Sequence, residues 1–187
     1  GKATTIGCLL NMVKADSGSI KILGKETAKL TAADKEKLGV VMDGFPFAEV
    51  FNVMDIKKVI SNIYKTFDDE QFEKLIKKFN LPKDKQIKEF STGMRAKLNI
   101  AVALSHKAEL LVLDEATSGL DPVVRDEILD ILLEFVQDEN KSIFISSHIT
   151  SDLEKICDYI AFIKNGEIVF VENKDELKDK YALIHCT

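Results

Sequence analysis

The sequence predicts an α/β fold in which a mainly parallel β-sheet is flanked by helices. Residues 44–106 are helical in pattern, which indicates a helical lobe inserted into the sheet domain. Two apolar runs around Asn165-Gly166 predict a C-terminal β-hairpin. Three β-rich runs alternate with helix-period segments, as in parallel sheets. These runs lie at 38–42, 110–113 and 142–146.

The first predicted element is a helix. Apolar residues at helical spacing over 3–14 predict that it starts directly after Gly1-Lys2. Residues 19–23 alternate like an edge strand, and the strand at 38–42 ends at Asp43.

The later elements follow the same patterns. Asp68 or Asp69 can cap a helix that ends at Leu81-Pro82, and helices are predicted at about 123–138 and 150–157. An earlier helix in the lobe is indicated by apolar residues at helical spacing. These are Ile56, Val59, Ile60 and Ile63.

Composition limits the partners. The net charge is −5 and the pI about 5.3, so a basic excess for binding nucleic acid or anionic lipid is absent. No apolar run approaches the roughly 20 residues of a spanning helix, and no signal peptide is visible. We therefore expect a cytosolic protein. Cys8, Cys157 and Cys186 lack metal-ligand spacing and are predicted to be reduced thiols.

Two adjacent carboxylates, Asp114 and Glu115, follow the apolar strand 110–113. Ligands of open α/β sheets bind beyond the carboxyl ends of such strands. One carboxylate there can hold Mg²⁺ while its neighbour orients or deprotonates an attacking water. The alternative for this pair alone is a core strand that ends in solvated acids.

Four segments occur in a fixed order: Gly1-Lys2-Ala3-Thr4-Thr5-Ile6, Phe90-Ser91-Thr92-Gly93-Met94-Arg95, the stretch 110–121, and Ile143-Phe144-Ile145-Ser146-Ser147-His148. Together they resemble the nucleotide-binding domain of ATP-binding cassette (ABC) transporters over nearly the whole chain. Within that family the chain is most similar to the ATPase subunits of ABC-2-type bacterial exporters associated with antibiotic efflux or resistance. The resemblance implies a P-loop NTPase fold of the ABC type, with ATP and Mg²⁺ as cofactors.

The resemblance places Gly1-Lys2 at the end of the phosphate-binding Walker A loop. Backbone N–H groups of such a loop cradle phosphates, and its lysine reaches the β and γ oxygens. Thr4 is counted with the nucleotide-binding residues, although it should not replace the missing hydroxyl of Ala3. Ala3 stands where the family has Ser or Thr, and a methyl group cannot bind Mg²⁺. The loop's upstream glycines are missing, so we expect an N-terminally truncated domain with impaired activity.

The remaining roles follow from the same resemblance. Glu115 is the implied general base, Asp114 the magnesium ligand, and His148 the switch histidine at the γ-phosphate. A solitary His at a strand end is otherwise usually structural. Asp43 replaces the family's usual glutamine and could bind Mg²⁺ while adding negative charge. The alternative for Asp43 is a strand-end turn with Gly44 and Pro46.

Ser91, Gly93 and Met94 resemble the ABC signature, which contacts the γ-phosphate bound to an opposite subunit. Asp121 resembles the residue that organises the loop between the two sites. Ser91 and Asp121 are also good helix N-caps, with Pro122 at the first helical position. Both interpretations can hold together. The resemblance implies a head-to-tail dimer with two shared ATP sites.

The implied organisation is a RecA-like core of 1–43 and 107–187 with a helical signature subdomain at 44–106. The implied function is ATP-driven dimerisation and hydrolysis coupled to export by a membrane permease, on the cytoplasmic face. Membrane contact would run only through that permease. Apolar residues after Asp43 offer either a permease surface or core packing; these are Phe45, Phe47, Val50, Phe51 and Val53. Two alternatives are a noncatalytic, degenerate subunit and a soluble ABC ATPase acting on ribosomes or DNA.

Overall fold

The computed structural model describes residues 1–180. Its eight α-helices over that range are α1 (Lys2–Leu9), α2 (Ala32–Lys35), α3 (Val53–Ile63), α4 (Asp69–Lys78), α5 (Thr92–Leu104), α6 (Pro122–Phe135), α7 (Thr150–Ile156) and α8 (Lys174–Lys180). The strands of the same range are β1 (Lys21–Ile22), β2 (Lys25–Glu26), β3 (Leu38–Val41), β4 (Leu110–Asp114), β5 (Ser142–Ser146), β6 (Tyr159–Lys164) and β7 (Glu167–Asn173).

The centre of the fold is a parallel sheet in the order β3-β4-β5. Leu113 of β4 lies beside Val41 of β3 and Ile145 of β5. All three strands therefore end at one edge, which we call the carboxyl edge. This arrangement confirms the predicted α/β fold with a parallel sheet and flanking helices.

The central strand β4 is covered on both faces, as its continuous apolar sequence requires. Leu111 and Leu113 point into the larger core, which contains residues of α3 to α6. Val112 points to the opposite face and packs with Ile6 of α1.

On this second face the two outer strands, β3 and β5, are less buried than the central strand β4. Val40, Val112 and Phe144 lie in one row across the three strands. Val112 is fully buried, whereas Val40 is 38% exposed and Phe144 is 42% exposed.

A glycine brings the helical lobe against the sheet. A Cβ at Gly39 of β3 would lie 2.7 Å from the backbone oxygen of Ala103 in α5 and would also strike Leu111. Only a residue without a side chain allows this approach. The position of α5 relative to the sheet therefore depends on Gly39.

The first helix of the predicted lobe is α3, which starts at Val53. Asn52 caps α3, Asp68 caps α4 and Ser91 caps α5, each accepting a hydrogen bond from a first-turn amide. Phe45, Phe47 and Phe51 are half-buried against the core, Val53 is buried, and Val50 is exposed.

Several boundaries differ from the predictions. The predicted helix 3–14 ends at Leu9 because Asn11 adopts a left-handed conformation, with φ of 57°. The predicted strand at 19–23 is reduced to Lys21–Ile22, since Leu23 and Gly24 form the turn of a short hairpin with β2.

Two differences concern helices. The predicted helix 123–138 ends at Phe135. Of the apolar residues expected on the buried face of α3, Ile56 and Ile60 are buried, whereas Val59 and Ile63 are exposed.

The predicted C-terminal hairpin is confirmed. Strands β6 and β7 pair antiparallel around Asn165-Gly166, both of which have the positive φ that a tight hairpin turn needs. Within residues 1–180, no helix is long and apolar enough to cross a bilayer. Cys8 and Cys157 are free thiols. Cys186 and His185 lie outside the described residues.

Candidate functional site

The carboxyl edge of the sheet collects the predicted acids and the histidine. Asp114 is the last residue of β4 and pairs with Ser146, the last residue of β5. Asp43 lies two residues beyond β3, and His148 two residues beyond β5. Parallel pairing thus brings segments that are far apart in sequence to the same edge.

Three predicted site residues make direct contact there. Lys2 Nζ lies 2.6 Å from Glu115 Oε1, and His148 Nδ1 lies 2.6 Å from Glu115 Oε2. The lysine and the histidine therefore each hold one oxygen of the same carboxylate. Lys2 stands at the start of α1, which packs on β4, so the helix brings its amino end to this edge.

The backbone of Glu115 is strained. Its φ is 51°, in the left-handed region that favours glycine. Its amide donates to Ser146 O at 3.0 Å, which fixes the peptide in this orientation. Such strain persists only where the surroundings over-determine the conformation, and it is frequent at functional sites.

Opposing effects act on the acidity of Glu115. Partial burial favours the protonated acid, but the hydrogen bonds from Lys2 and His148 stabilise the carboxylate more strongly. The pKa of Glu115 therefore lies below its ordinary value. The site holds an ionised carboxylate at neutral pH, and a move of Lys2 away from it would make it a stronger base.

Two buried hydroxyl–carboxylate pairs lie beside Glu115, and sequence reasoning missed both. Ser146 Oγ donates to Asp114 Oδ1 at 2.5 Å, and Thr117 Oγ1 donates to Asp152 Oδ2 at 2.7 Å. These pairs connect residues 32 and 35 positions apart. The β-rich run and the motif order gave no signal that would pair them.

The first turn of α1 has the properties of a phosphate site. Gly1 precedes the helix without a side-chain cap, and Lys2, Ala3 and Thr4 are exposed. Free first-turn amides and a lysine suit an anion. The residues present therefore fit the phosphates of ATP, while Thr4 makes no contact with Glu115 that would give it a catalytic part.

Magnesium would find one well-placed protein ligand. Asp114 is buried at the end of β4, where its Oδ1 accepts from Ser146, and exposed Asp43 lies two residues beyond β3. Within the described part of the chain, no three His, Cys, Asp or Glu residues cluster to hold a metal ion. Mg²⁺ commonly binds through one or two carboxylates together with substrate phosphates and water, so Asp114 fits this mode. Ala3 adds no oxygen.

The signature residues lie at the start of α5. Ser91 Oγ accepts a hydrogen bond from the Met94 amide at 3.2 Å, so Ser91 is a helix cap as the alternative interpretation predicted. Gly93 faces Val124 of α6, where an added Cβ would lie 3.1 Å from a methyl group.

Asp121 caps α6 in the same way. Its Oδ1 accepts from the amides of Val123 and Val124 at 3.1 Å, with Pro122 at the first helical position. The close packing of Gly93 on Val124 therefore sets the starts of α5 and α6 side by side. Ser91, Gly93, Met94 and Asp121 therefore form a second cluster of predicted site residues, which is separate from the contact of Lys2 and His148 with Glu115.

A cavity of about 540 Å³ lies at the opposite end of the strands. Glu109, just before β4, and Lys141, just before β5, line it together with buried His106. His106 stacks on Tyr64 at 4.1 Å and burial lowers its pKa. None of the predicted site residues lines this cavity.

The chain matches known proteins over most of its length. Residues 1–118 match a protein-family model described as "ABC transporter". The chain is 35% identical to the bacitracin transport ATP-binding protein BcrA of Bacillus licheniformis, covering 96% of the chain and 60% of that protein. It is 34% identical to the lantibiotic transport ATP-binding protein SrtF of Streptococcus pyogenes, covering 94% of the chain and 75% of that protein. It is 29% identical to the ABC transporter ATP-binding protein YtrB of Bacillus subtilis, of which it spans 63%.

Solved structures show the same fold. The ATP-binding subunit of an ABC transporter superposes with a TM-score of 0.80 at 22% identity, covering 96% of this chain and 77% of that one. A dimeric post-hydrolysis state of the ATP-binding cassette MJ0796 with ADP and Pi superposes with a TM-score of 0.79 at 19% identity, covering 92% of this chain and 80% of that one.

Proposed function

The chain belongs to the ABC transporter family, and from this premise we propose that it is the ATP-binding and ATP-hydrolysing subunit of an ABC exporter. The observation that carries the proposal is the contact of Lys2 and His148 with the two oxygens of Glu115. Residues from two separate motifs thus contact the carboxylate that a third motif supplies. A merely structural strand end would not need a lysine from position 2 and a histidine from position 148.

Nucleotide would bind at the carboxyl edge. The first-turn amides at Gly1 and Lys2 would hold its phosphates, and the Lys2 ammonium would neutralise their charge. Mg²⁺ would be held by Asp114, with Asp43, two residues beyond β3, as a second ligand. When bound, ATP with Mg²⁺ supplies the phosphoryl group and the charge compensation for its transfer.

Glu115 is the proposed general base. Lys2 turned toward a phosphate would withdraw one of the two hydrogen bonds that lower the pKa of Glu115. The remaining bond from His148 would orient the free oxygen toward an attacking water. His148, more than half exposed, would also reach the reacting phosphoryl oxygens.

We place the second cluster, Ser91, Gly93, Met94 and Asp121, at the partner subunit's nucleotide. Ser91 and Thr92, at the start of α5, are exposed. A head-to-tail dimer would set this helix end against the γ-phosphate of the opposite subunit. Asp121 would then connect the two sites, because its loop follows Glu115 in the chain.

The permease would contact the lobe. Residues 44–106 would form the signature subdomain between the core segments 1–43 and 107–187. The net charge of this subdomain is about +3, whereas that of the two core segments together is about −8. Exposed Val50 and Met54 beside the half-buried phenylalanines offer an apolar contact. The exporter role and the cytoplasmic, membrane-peripheral location follow the likeness to BcrA and SrtF.

Ala3 weakens magnesium binding in this proposal. Its methyl group adds no ligand beside Asp114, so this chain should turn over ATP slowly. The competing candidate is a noncatalytic subunit that binds nucleotide or a partner without hydrolysis. Ala3 is the observation that favours it.

The test is magnesium-dependent ATP binding and turnover by the chain, by Ala3→Thr and by Ala3→Thr/Glu115→Gln. Ser19→Ala serves as the control, because it removes an exposed hydroxyl that lies outside the predicted site. We expect faster turnover with Ala3→Thr and its loss with Glu115→Gln. Binding without turnover in every version would favour the noncatalytic subunit, and the absence of binding would refute the nucleotide site.

A further inference from the structure

The hydrogen bond between Thr117 and Asp152 is a buried polar contact without a part in the proposed chemistry. Thr117 is fully buried and Asp152 is 2% exposed. The Thr117 hydroxyl donates to the carboxylate at 2.7 Å. Neither side chain reaches the surface at which nucleotide would bind, so neither can act on it directly.

Burying a carboxylate destabilises the folded state. Its desolvation must be offset by hydrogen bonds, and apolar side chains of similar volume commonly fill such space at lower cost. Stability alone is therefore a poor explanation for this pair. What the pair supplies is a fixed, directional link between two segments.

Those two segments carry the contact between Glu115 and His148. Thr117 follows strained Glu115 by two residues, and Asp152 follows His148 by four. The link between Thr117 and Asp152 therefore closes a ring whose other link is the 2.6 Å contact of Glu115 with His148. Opening the Thr117–Asp152 link removes the direct hydrogen bond between the loop after β4 and α7 and leaves the bond from the Glu115 amide to Ser146 O in place.

We propose that Thr117 and Asp152 are positioning residues, which hold Glu115 in its left-handed conformation against His148. This proposal rests on the proposed function, since it gives Glu115 and His148 their catalytic meaning. It differs from that function in assigning a role to residues that touch neither nucleotide nor water. Its first test therefore needs no turnover.

The test compares three changes in the full chain. Thr117→Val keeps the shape and removes the donor, Thr117→Ser keeps the donor, and Thr117→Val/Asp152→Leu removes both polar partners without leaving a carboxylate unpaired. Ser151→Ala, an exposed change on the same helix, is the matched control. Circular dichroism melting establishes that each variant is folded. The double variant keeps the test available if Thr117→Val does not fold.

The direct readout is the side-chain ¹⁵N signal of His148, assigned by His148→Gln, which reports whether Nδ1 carries a hydrogen-bonded proton. We expect that signature to be lost in the folded donor-free variants and retained in Thr117→Ser and Ser151→Ala. An unchanged His148 signal in the folded double variant would overturn the proposal.

Turnover is the second readout, measured in the Ala3→Thr background. We expect kcat to fall about 10- to 100-fold in the donor-free variants, with KM for ATP changing less than about threefold, because geometry and not binding is altered. Wild-type kcat in a folded donor-free variant would contradict the proposal. If the parent turns over no ATP, the proposed function fails while the His148 signal still decides the positioning role.

Discussion

Replacing Glu115 by glycine and by alanine separates the strain at this residue from the loss of its side chain. Both changes remove the contacts with Lys2 and His148. They differ in that alanine must still adopt φ of 51° against its preference, whereas glycine adopts it freely. The comparison therefore cancels the loss of the side chain and leaves the backbone strain together with the difference in unfolded-chain entropy.

The magnitude follows from two opposing effects. A left-handed conformation costs an L-residue roughly 1–2 kcal/mol. Alanine recovers about 0.4–1 kcal/mol because it restricts the unfolded chain more than glycine does. We therefore expect Glu115→Gly to be more stable than Glu115→Ala by about 0.8 kcal/mol, which is roughly 1.5 kcal/mol of strain less about 0.7 kcal/mol of unfolded-chain entropy. Both changes should lower turnover by about 10²–10⁴-fold.

Urea unfolding at pH 7, followed by far-ultraviolet circular dichroism, gives both stabilities. Ala116→Gly is the matched control, because Ala116 is the next residue and lacks a positive φ. There glycine should destabilise the chain by about 0.5–1 kcal/mol. If Glu115→Ala proves as stable as Glu115→Gly, or more stable, the reasoning about strain at the site is refuted.

Three further outcomes are expected. Gly39→Ala should destabilise the chain by about 2–3 kcal/mol in urea unfolding, because the backbone oxygen of Ala103 cannot rotate away from the added methyl group; a loss below about 0.5 kcal/mol would contradict the close packing. Burial lowers the pKa of His106 below 6.5, so as the pH falls the unfolded chain binds a proton at this residue before the folded chain does, and stability should decrease below about pH 6.5. His106→Gln should flatten that part of the stability profile. An equal slope in the variant and the parent chain would exclude His106 as the source of the pH dependence. Ser146→Ala should cost about 1–3 kcal/mol by removing the donor to buried Asp114, and a neutral effect in urea unfolding would show that the hydrogen bond contributes little.

The parallel sheet, and the position of the candidate site at its carboxyl edge, could be predicted from local sequence pattern. A run such as 110–113 has few alternatives to a buried strand, and parallel strands must end at a common edge. The convergence of Asp114, Glu115 and His148 at this edge therefore needed only the order of elements. The caps Ser91 and Asp121 were equally local, because an N-cap bonds to amides two or three residues away.

The features that the sequence pattern could not predict depend on tertiary packing. Periodicity identified α3 but could not tell that Ile63 faces outward, since this depends on where the neighbouring helices lie. The early end of α1 at Leu9 follows from the conformation of Asn11, although apolar residues continue beyond it. The pairing of Thr117 with Asp152 joins positions 35 residues apart, and sequence pattern carries no distance information at that range.

The partly covered row of Val40, Val112 and Phe144 has a consequence for handling this protein. Strand β5 borders the three-stranded sheet of residues 1–180, and Phe144 exposes apolar surface beside its unpaired backbone groups. Such a border is a template for strand pairing between molecules. Size measurements at high concentration would then report sheet-mediated association instead of the nucleotide-driven dimer. Association that depends on magnesium and ATP distinguishes the two, so concentration and nucleotide must be varied independently.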